Sequence, residues 1–219
     1  MKDLQKTGGI ASLIEAVTVV VGLGMFATLL TDYTTGDPSA AESVAYVADN
    51  QAILYIWNTI TLIVFAVVLV VVSLALHDRL KDAGAITRTA TVFGFIWSGL
   101  LLAGGMVTNI GLGSVADLSA SNSANAESVW LALDAVQSGL SGGNEITGGV
   151  WILLISWAGI KTGALPRALN FLGIAMGVAA LVTIVPALEA VGAVFGLGLI
   201  VWFIWLGTIM LRNNTSVPA

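Results

Sequence analysis

The sequence predicts an all-α membrane protein, a bundle of six transmembrane helices with short amphipathic helices in its two long outer loops. Three observations support this: an apolar composition, six apolar runs of spanning length, and basic residues confined to one side. Of the 219 residues, 57% are hydrophobic and only 10% are charged, whereas a soluble domain usually carries about a quarter charged residues. A mean hydropathy of +0.95 indicates that lipid forms part of the solvent.

Six apolar runs have about the length that a helix needs to cross a bilayer, roughly 20 residues. The last two runs are almost continuous, but together they are about twice the bilayer thickness, and Pro186 favours a helix end or kink between them. We predict one integral membrane domain over residues 1–219. Its six spans cover residues 10–31, 52–76, 89–112, 146–161, 167–188 and 190–211.

The basic residues predict the orientation of these spans. With six spans, all eight fall in the two termini and in the second and fourth loops, which lie on the same side of the membrane. Because loops rich in Lys and Arg face the cytoplasm, we predict a multi-pass protein of the cell (plasma) membrane with cytoplasmic N- and C-termini. The eight residues are Lys2, Lys6, Arg79, Lys81, Arg88, Lys161, Arg167 and Arg212.

The two long outer loops, 32–51 and 113–145, contain similar segments. Ala41-Glu42-Ser43-Val44 in the first recurs in the second as Ala126-Glu127-Ser128-Val129. Two interpretations are open: a duplicated helical hairpin, or two similar surface helices that met the same physical demand. The predicted apolar stripes are Val44, Val47 and Ala48 in the first copy and Val129, Leu133, Val136 and Leu140 in the second.

The predicted outer side carries nine acidic residues and no Lys or Arg. Such a face either attracts cations or reflects adaptation to high salt, where acidic surfaces keep proteins soluble; the low lysine content favours the second interpretation. The sequence pI of about 4.6 excludes nucleic acid as a partner, because nucleic acid demands a basic face. The nine acids are Asp32, Asp37, Glu42, Asp49, Asp117, Glu127, Asp134, Glu145 and Glu189.

Glu15 is the one ionisable residue inside a predicted span. Carboxylates within a membrane are costly and indicate proton or cation handling by default. The alternative, which the shallow predicted depth favours, is that Glu15 reaches the interface or pairs with Lys6, Arg167 or Arg212. Glu15, Trp157, Trp202 and Trp205 are the candidate lining of an inner cavity, and Asn58, Asn109 and Asn144 are a candidate outer polar cluster.

The sequence favours a non-enzymatic protein without catalytic residues, metal sites or cofactors. It contains no cysteine and a single histidine, His77, whereas a zinc site needs three or four ligands. His77, at the inner end of the second span, is interpreted as an interfacial residue rather than a proton-transfer group.

Small-residue pairs at a spacing of four predict close helix packing in the C-terminal part of the chain. Such pairs let helix backbones approach within a membrane, either inside one chain or between chains. They are Gly159 and Gly163, Gly173 and Gly177, and Gly192 and Gly196.

The segment Lys161-Thr162-Gly163-Ala164-Leu165-Pro166-Arg167-Ala168-Leu169, followed by Gly173 and Gly177, resembles the fourth inner loop and fifth helix of the domain of unknown function 4386 family of prokaryotic six-span proteins. The start Lys6-Thr7-Gly8-Gly9-Ile10-Ala11 and the element Leu131-x-Leu133-Asp134 are similar to that family as well. The family usually carries a histidine soon after this aspartate, where the chain has Ala135-Val136. The resemblance implies six helices and no assigned activity.

The predicted function is the binding of lipid, a small apolar ligand or another membrane subunit. Membrane lipids, a membrane-protein partner or further copies of the chain are therefore the expected partners. The first alternative is a small secondary or proton-coupled transporter that uses Glu15, and the second is an intramembrane enzyme working near His77 and Glu15.

Overall fold

The computed structural model describes residues 2–31, 38–142 and 146–212, and all regular secondary structure in them is helical. The predicted all-α class is confirmed. Seven helices of 15 residues or more occur in this part of the chain: α1 (Lys2–Thr28), α2 (Ala40–Arg79), α3 (Ala85–Ser119), α4 (Ser123–Gln137), α5 (Ile146–Thr162), α6 (Arg167–Val182) and α7 (Gly192–Arg212).

Four of these helices, α1, α2, α3 and α7, are long and apolar enough to cross a membrane. α5 and α6 are apolar but have only 17 and 16 residues, so helix length alone does not establish six spans. Large apolar side chains lie exposed on both, among them Trp157 on α5 and Phe171 on α6. A continuous apolar exterior is stable against lipid and not against water.

The last two apolar runs form separate helices, as the sequence predicts. α6 ends at Val182, before the predicted end at residue 188, and the 3₁₀ segment Pro186–Val191 leads into α7. Proline has no backbone N–H and disfavours helical geometry at the residue before it. Pro186 therefore accounts for the early end of α6.

The amphipathic segment of the first outer loop is helical, as the sequence predicts, and a kink at Asn50 separates it from the span that follows. It opens α2, which continues to Arg79 with a bend at Asn50 (φ −121°, ψ 22°). A capping box fixes the start, since Ser39 Oγ accepts from the Glu42 N–H and a Glu42 carboxylate oxygen accepts from the Ser39 N–H at 2.8 Å. Residues 40–79 contain neither glycine nor proline, so the chain stays helical on both sides of the kink.

The second outer loop does contain a separate helix, α4, but its buried stripe is rotated from the predicted one. Ala126, Trp130 and Leu133 are buried, whereas Val136 is exposed. The large Trp130 side chain fills the core and turns the helix toward it. In the first copy Val44 is buried, while its counterpart Val129 is only partly buried, so the sequence similarity of the loops does not extend to equivalent packing.

The chain divides into two compact units. The first comprises residues 1–19, 65–99 and 144–219, and the second comprises residues 20–64 and 100–143. The buried core of the second unit consists of Leu30, Val44, Val47, Leu54, Leu112, Val115, Ala126, Trp130 and Leu133.

Within the first unit, glycines bring α5 and α6 into backbone contact. A Cβ atom at Gly177 would lie 2.8 Å from the carbonyl oxygen of Gly149, and one at Gly149 would lie 3.1 Å from that of Gly177. The predicted close packing is thus intramolecular for Gly177. A Cβ atom at Gly196 of α7 would have no atom within 4 Å, so the Gly192–Gly196 pair makes no such contact at Gly196.

Candidate functional site

Glu15 of α1 is buried in the interior of the first unit. A Cβ at Gly8 would collide with Ala75 of α2 and Met210 of α7, and Gly207 of α7 lies against Leu13. α1 and α7 are therefore antiparallel neighbours. At 1.5 Å per residue this register brings Glu15 within about one helical turn of Trp202.

Glu15 has no accessible surface. Neither carboxyl oxygen has a hydrogen-bond partner among the described residues. The side chain is therefore enclosed by the protein and is not exposed at its surface. Its backbone carbonyl accepts a hydrogen bond from Thr18 Oγ1 at 2.8 Å.

Further polar side chains in the first unit have a buried atom without a hydrogen-bond partner in the described residues, and four of them are Ser73, Trp151, Ser156 and Trp202. Together with Glu15 they are called the polar cluster below. An indole N–H can only donate and a serine hydroxyl can do both, so the cluster offers several donors and one carboxyl group. Unsatisfied groups of this kind are few in native proteins and call for an explanation.

Two glycines bring these groups together in pairs. A Cβ at Gly94 would meet Ser73 Oγ and, at 2.8 Å, Trp151 Nε1; one at Gly173 would meet Ser156 Oγ and, at 3.1 Å, Trp202 Nε1. The two indole rings join the pairs, since their centroids lie 5.6 Å apart at an interplanar angle of 69°. Edge-to-face packing of this kind is favourable and holds both rings in place.

The structure separates the four residues predicted to line an inner cavity. Glu15 and Trp202 are fully buried, whereas Trp157 is 64% exposed and Trp205 is 37% exposed. Three residues of the polar cluster were not predicted as site residues: Ser73, Trp151 and Ser156. Gly94 and Gly173 lie opposite them. These glycines indicate the site only once the pairing of the helices is known.

His77 forms a hydrogen bond with a threonine side chain. Its Nδ1 lies 2.7 Å from Thr91 Oγ1, and the described residues contain no group of three His, Cys, Asp or Glu side chains able to hold a metal ion. Arg79 nearby donates to the carbonyl oxygen of Ala164 at 3.2 Å.

The second unit contains a pocket of about 450 Å³, called the aromatic pocket below. Phe26, Trp57 and Trp130 contribute aromatic rings to it. The Trp57 indole is oriented by donating to the carbonyl oxygen of Gly22 at 3.0 Å, and its ring centroid is 6.4 Å from that of Phe26. The polar part of the lining consists of Ser43, Asn58, Thr108, Asp134 and Gln137.

A change of helix type positions two of these residues. α2 is π-helical over Thr59–Val64, directly after Trp57 and Asn58, and π-helical turns occur frequently at functional sites. Thr61 Oγ1 donates to the Trp57 carbonyl oxygen at 2.7 Å, which satisfies a backbone group where the α-helical pattern is broken.

The structure describes two of the three residues of the predicted outer polar cluster. Asn58 lines the aromatic pocket and is 3% exposed. Asn109 Nδ2 donates to Thr59 Oγ1 at 3.2 Å, and Asn144 lies outside the described residues.

Comparison with known protein families matches residues 7–207 to the family described as "Domain of unknown function (DUF4386)". The chain belongs to the DUF4386 family. The resemblance drawn from the sequence is confirmed. No curated protein matches the chain, and no solved structure does.

The segment that carries the DUF4386 resemblance forms the turn between α5 and α6. Gly163 adopts a positive φ of 68°, a conformation that glycine accepts without steric cost. Pro166 then stands as the N-cap of α6 with φ −57° and ψ 139°. The matched range of the DUF4386 family model includes all members of both the polar cluster and the aromatic pocket.

Proposed function

We propose that this DUF4386 protein crosses the cell membrane six times with both termini in the cytoplasm. The one-sided distribution of the eight basic residues supports this orientation. α5 and α6 serve as the two short spans. The exposed apolar residues Ile184 and Val185 after α6 lengthen its apolar surface toward the lower limit of a spanning segment, about 17 residues.

Its proposed function is to bind a lipid or another small, largely apolar molecule without chemical conversion. The observation that carries this proposal is the aromatic pocket. Its volume of about 450 Å³ lies in the range of small-molecule sites. Its wall combines three aromatic rings with polar side chains, among them Asn58, Thr108 and Asp134.

Native mass spectrometry of the protein released from mild detergent tests this proposal. Leu131 lines the pocket, whereas Val136 of the same helix does not, and both are exposed. We expect Leu131→Trp to occupy the pocket and remove a small molecule that co-purifies with the wild type, while Val136→Trp retains it. A wild-type protein that carries only a second protein subunit, or nothing, would contradict the proposal.

A second candidate function is proton-coupled transport through Glu15. The observation that favours it is the complete burial of Glu15, whose carboxyl oxygens have no hydrogen-bond partner in the described residues. Buried carboxyl groups within membrane spans line proton and ion pathways.

Proton uptake into proteoliposomes under an imposed potassium diffusion potential tests this candidate. We expect Glu15→Gln to abolish the uptake, because the amide neither binds nor releases a proton. Ser12→Ala is the matched control, since Ser12 is also buried one turn away without a partner for its hydroxyl. Equal uptake by wild type and Glu15→Gln would exclude Glu15 from proton transfer.

A further inference from the structure

The aromatic pocket lies in a unit whose charges all have one sign. Residues 20–64 and 100–143 contain no lysine, arginine or histidine. They contain seven acids, namely Asp32, Asp37, Glu42, Asp49, Asp117, Glu127 and Asp134. A surface of one sign attracts oppositely charged ligands and repels those of its own sign, so this unit disfavours an anionic ligand.

Asp134 is the acid that lines the pocket, and its carboxylate has no hydrogen-bond or ion-pair partner among the described residues. Glu42 differs, because its carboxylate is held by the backbone N–H and the hydroxyl of Ser39, both at 2.8 Å. A carboxylate at a pocket wall without a counter-charge is suited to a cationic ligand.

The aromatic side chains favour the same ligand. The face of an aromatic ring attracts a cation, most strongly for tryptophan, and aromatic cages recognise quaternary ammonium groups in this way. Trp57, Trp130 and Phe26 place three rings at the pocket that also contains Asp134.

Buried polar groups in the pocket wall indicate that the pocket is built for a ligand with a polar part. Thr108 is 8% exposed and its hydroxyl has no partner in the described residues; Asn58 is 3% exposed. Both line the pocket. A polar group buried without a partner costs stability, which a bound ligand would offset.

We propose that the aromatic pocket binds an organic cation with an alkylated ammonium group, held between the tryptophan rings and the Asp134 carboxylate. This inference rests on the proposed binding function and specifies its ligand class. Neutral molecules of the same shape bind more weakly because they lack the electrostatic attraction to the rings and to the Asp134 carboxylate.

Binding to the purified full-length protein, followed by tryptophan fluorescence and calorimetry, tests the proposal. The probes are choline chloride, its neutral isostere 3,3-dimethylbutan-1-ol, and sodium chloride at equal ionic strength. We expect choline to bind, the neutral alcohol to bind more weakly, and Asp134→Asn to weaken choline binding about fivefold, the effect of one partly exposed charge contact. Asp117→Asn, a substitution of another acid of the same unit outside the pocket, is expected to leave binding unchanged.

The outcomes separate the two proposals. Equal binding of choline and the alcohol, insensitive to Asp134→Asn but lost in Leu131→Trp, would overturn the cation specificity and leave the binding function intact. An equal loss in Asp134→Asn and Asp117→Asn would assign the effect to general charge and also overturn a specific site. Failure of both probes to bind would overturn the organic-cation proposal, while the co-purification experiment tests the binding function separately.

Discussion

Gly177→Ala is expected to lower the melting temperature of the protein in detergent micelles by about 2–12 °C. The added Cβ would lie 2.8 Å from the carbonyl oxygen of Gly149 and 3.0 Å from Ile152 Cγ2, and it would also collide with Leu153 Cγ. A backbone oxygen cannot rotate away as a side chain can, so α5 and α6 must separate. Overpacking of this kind costs about 1–3 kcal/mol, and each kcal/mol shifts the midpoint by about 2–4 °C at this chain length.

Gly196→Ala is the matched control for this substitution. Gly196 closes a motif of the same spacing on α7, but no atom lies within 4 Å of the position of its Cβ. We expect an unchanged or slightly higher melting temperature, because alanine in a helix interior is favoured over glycine by about 0.5–1 kcal/mol. Equal midpoints for the two variants would show that the Gly149–Gly177 contact does not hold α5 and α6 together.

The contrast between Gly177 and Gly196 shows what a sequence motif can and cannot predict. Spacing identifies which glycines share a helix face, but whether a second helix lies against that face depends on tertiary packing. The helices themselves were predictable, since hydrophobic runs and Pro186 depend on local chemistry. The kink at Asn50 lies two residues before the predicted start of the second span, although residues 40–79 contain neither glycine nor proline to mark it.

The candidate sites were predictable only in part for the same reason. Glu15 stands out in a sequence because an acid within an apolar run is rare, and Asn58 was named as a polar residue of its span. Trp202 and Trp205 are three residues apart, yet one is fully buried and the other 37% exposed; a side chain at the edge of a helical stripe is not assigned by periodicity. Asp134 and Trp57 line the same pocket only because α4 packs against α2. Their spacing along the chain does not predict that packing.

The aromatic pocket also bears on the two interpretations of the acidic surface, adaptation to high salt and attraction of cations. An acidic surface suits high salt and also attracts cations, and the low lysine content favoured the first of these interpretations. Adaptation to salt needs acids on the exterior. It requires neither aromatic rings nor a buried Thr108 hydroxyl in the wall of the same pocket. Their presence with Asp134 in a single pocket favours the cation interpretation for this part of the molecule.

Glu15→Met is expected to raise the melting temperature by about 2–12 °C. The carboxyl oxygens of Glu15 are buried and have no hydrogen-bond partner among the described residues. An unsatisfied buried polar group costs about 1–3 kcal/mol, and methionine fills a similar volume without that cost. Thermal unfolding followed by circular dichroism measures the change.

Glu15→Gln separates this explanation from a simple effect of charge. The amide keeps the size and the unsatisfied polar atoms of the side chain, so we expect little gain in stability from it. A lower melting temperature for Glu15→Met would mean that the carboxyl group has a stabilising partner, and the polar cluster would then be structural. A stabilised Glu15→Met protein that has lost proton uptake would instead show a residue kept for function at a cost in stability, as functional sites often are.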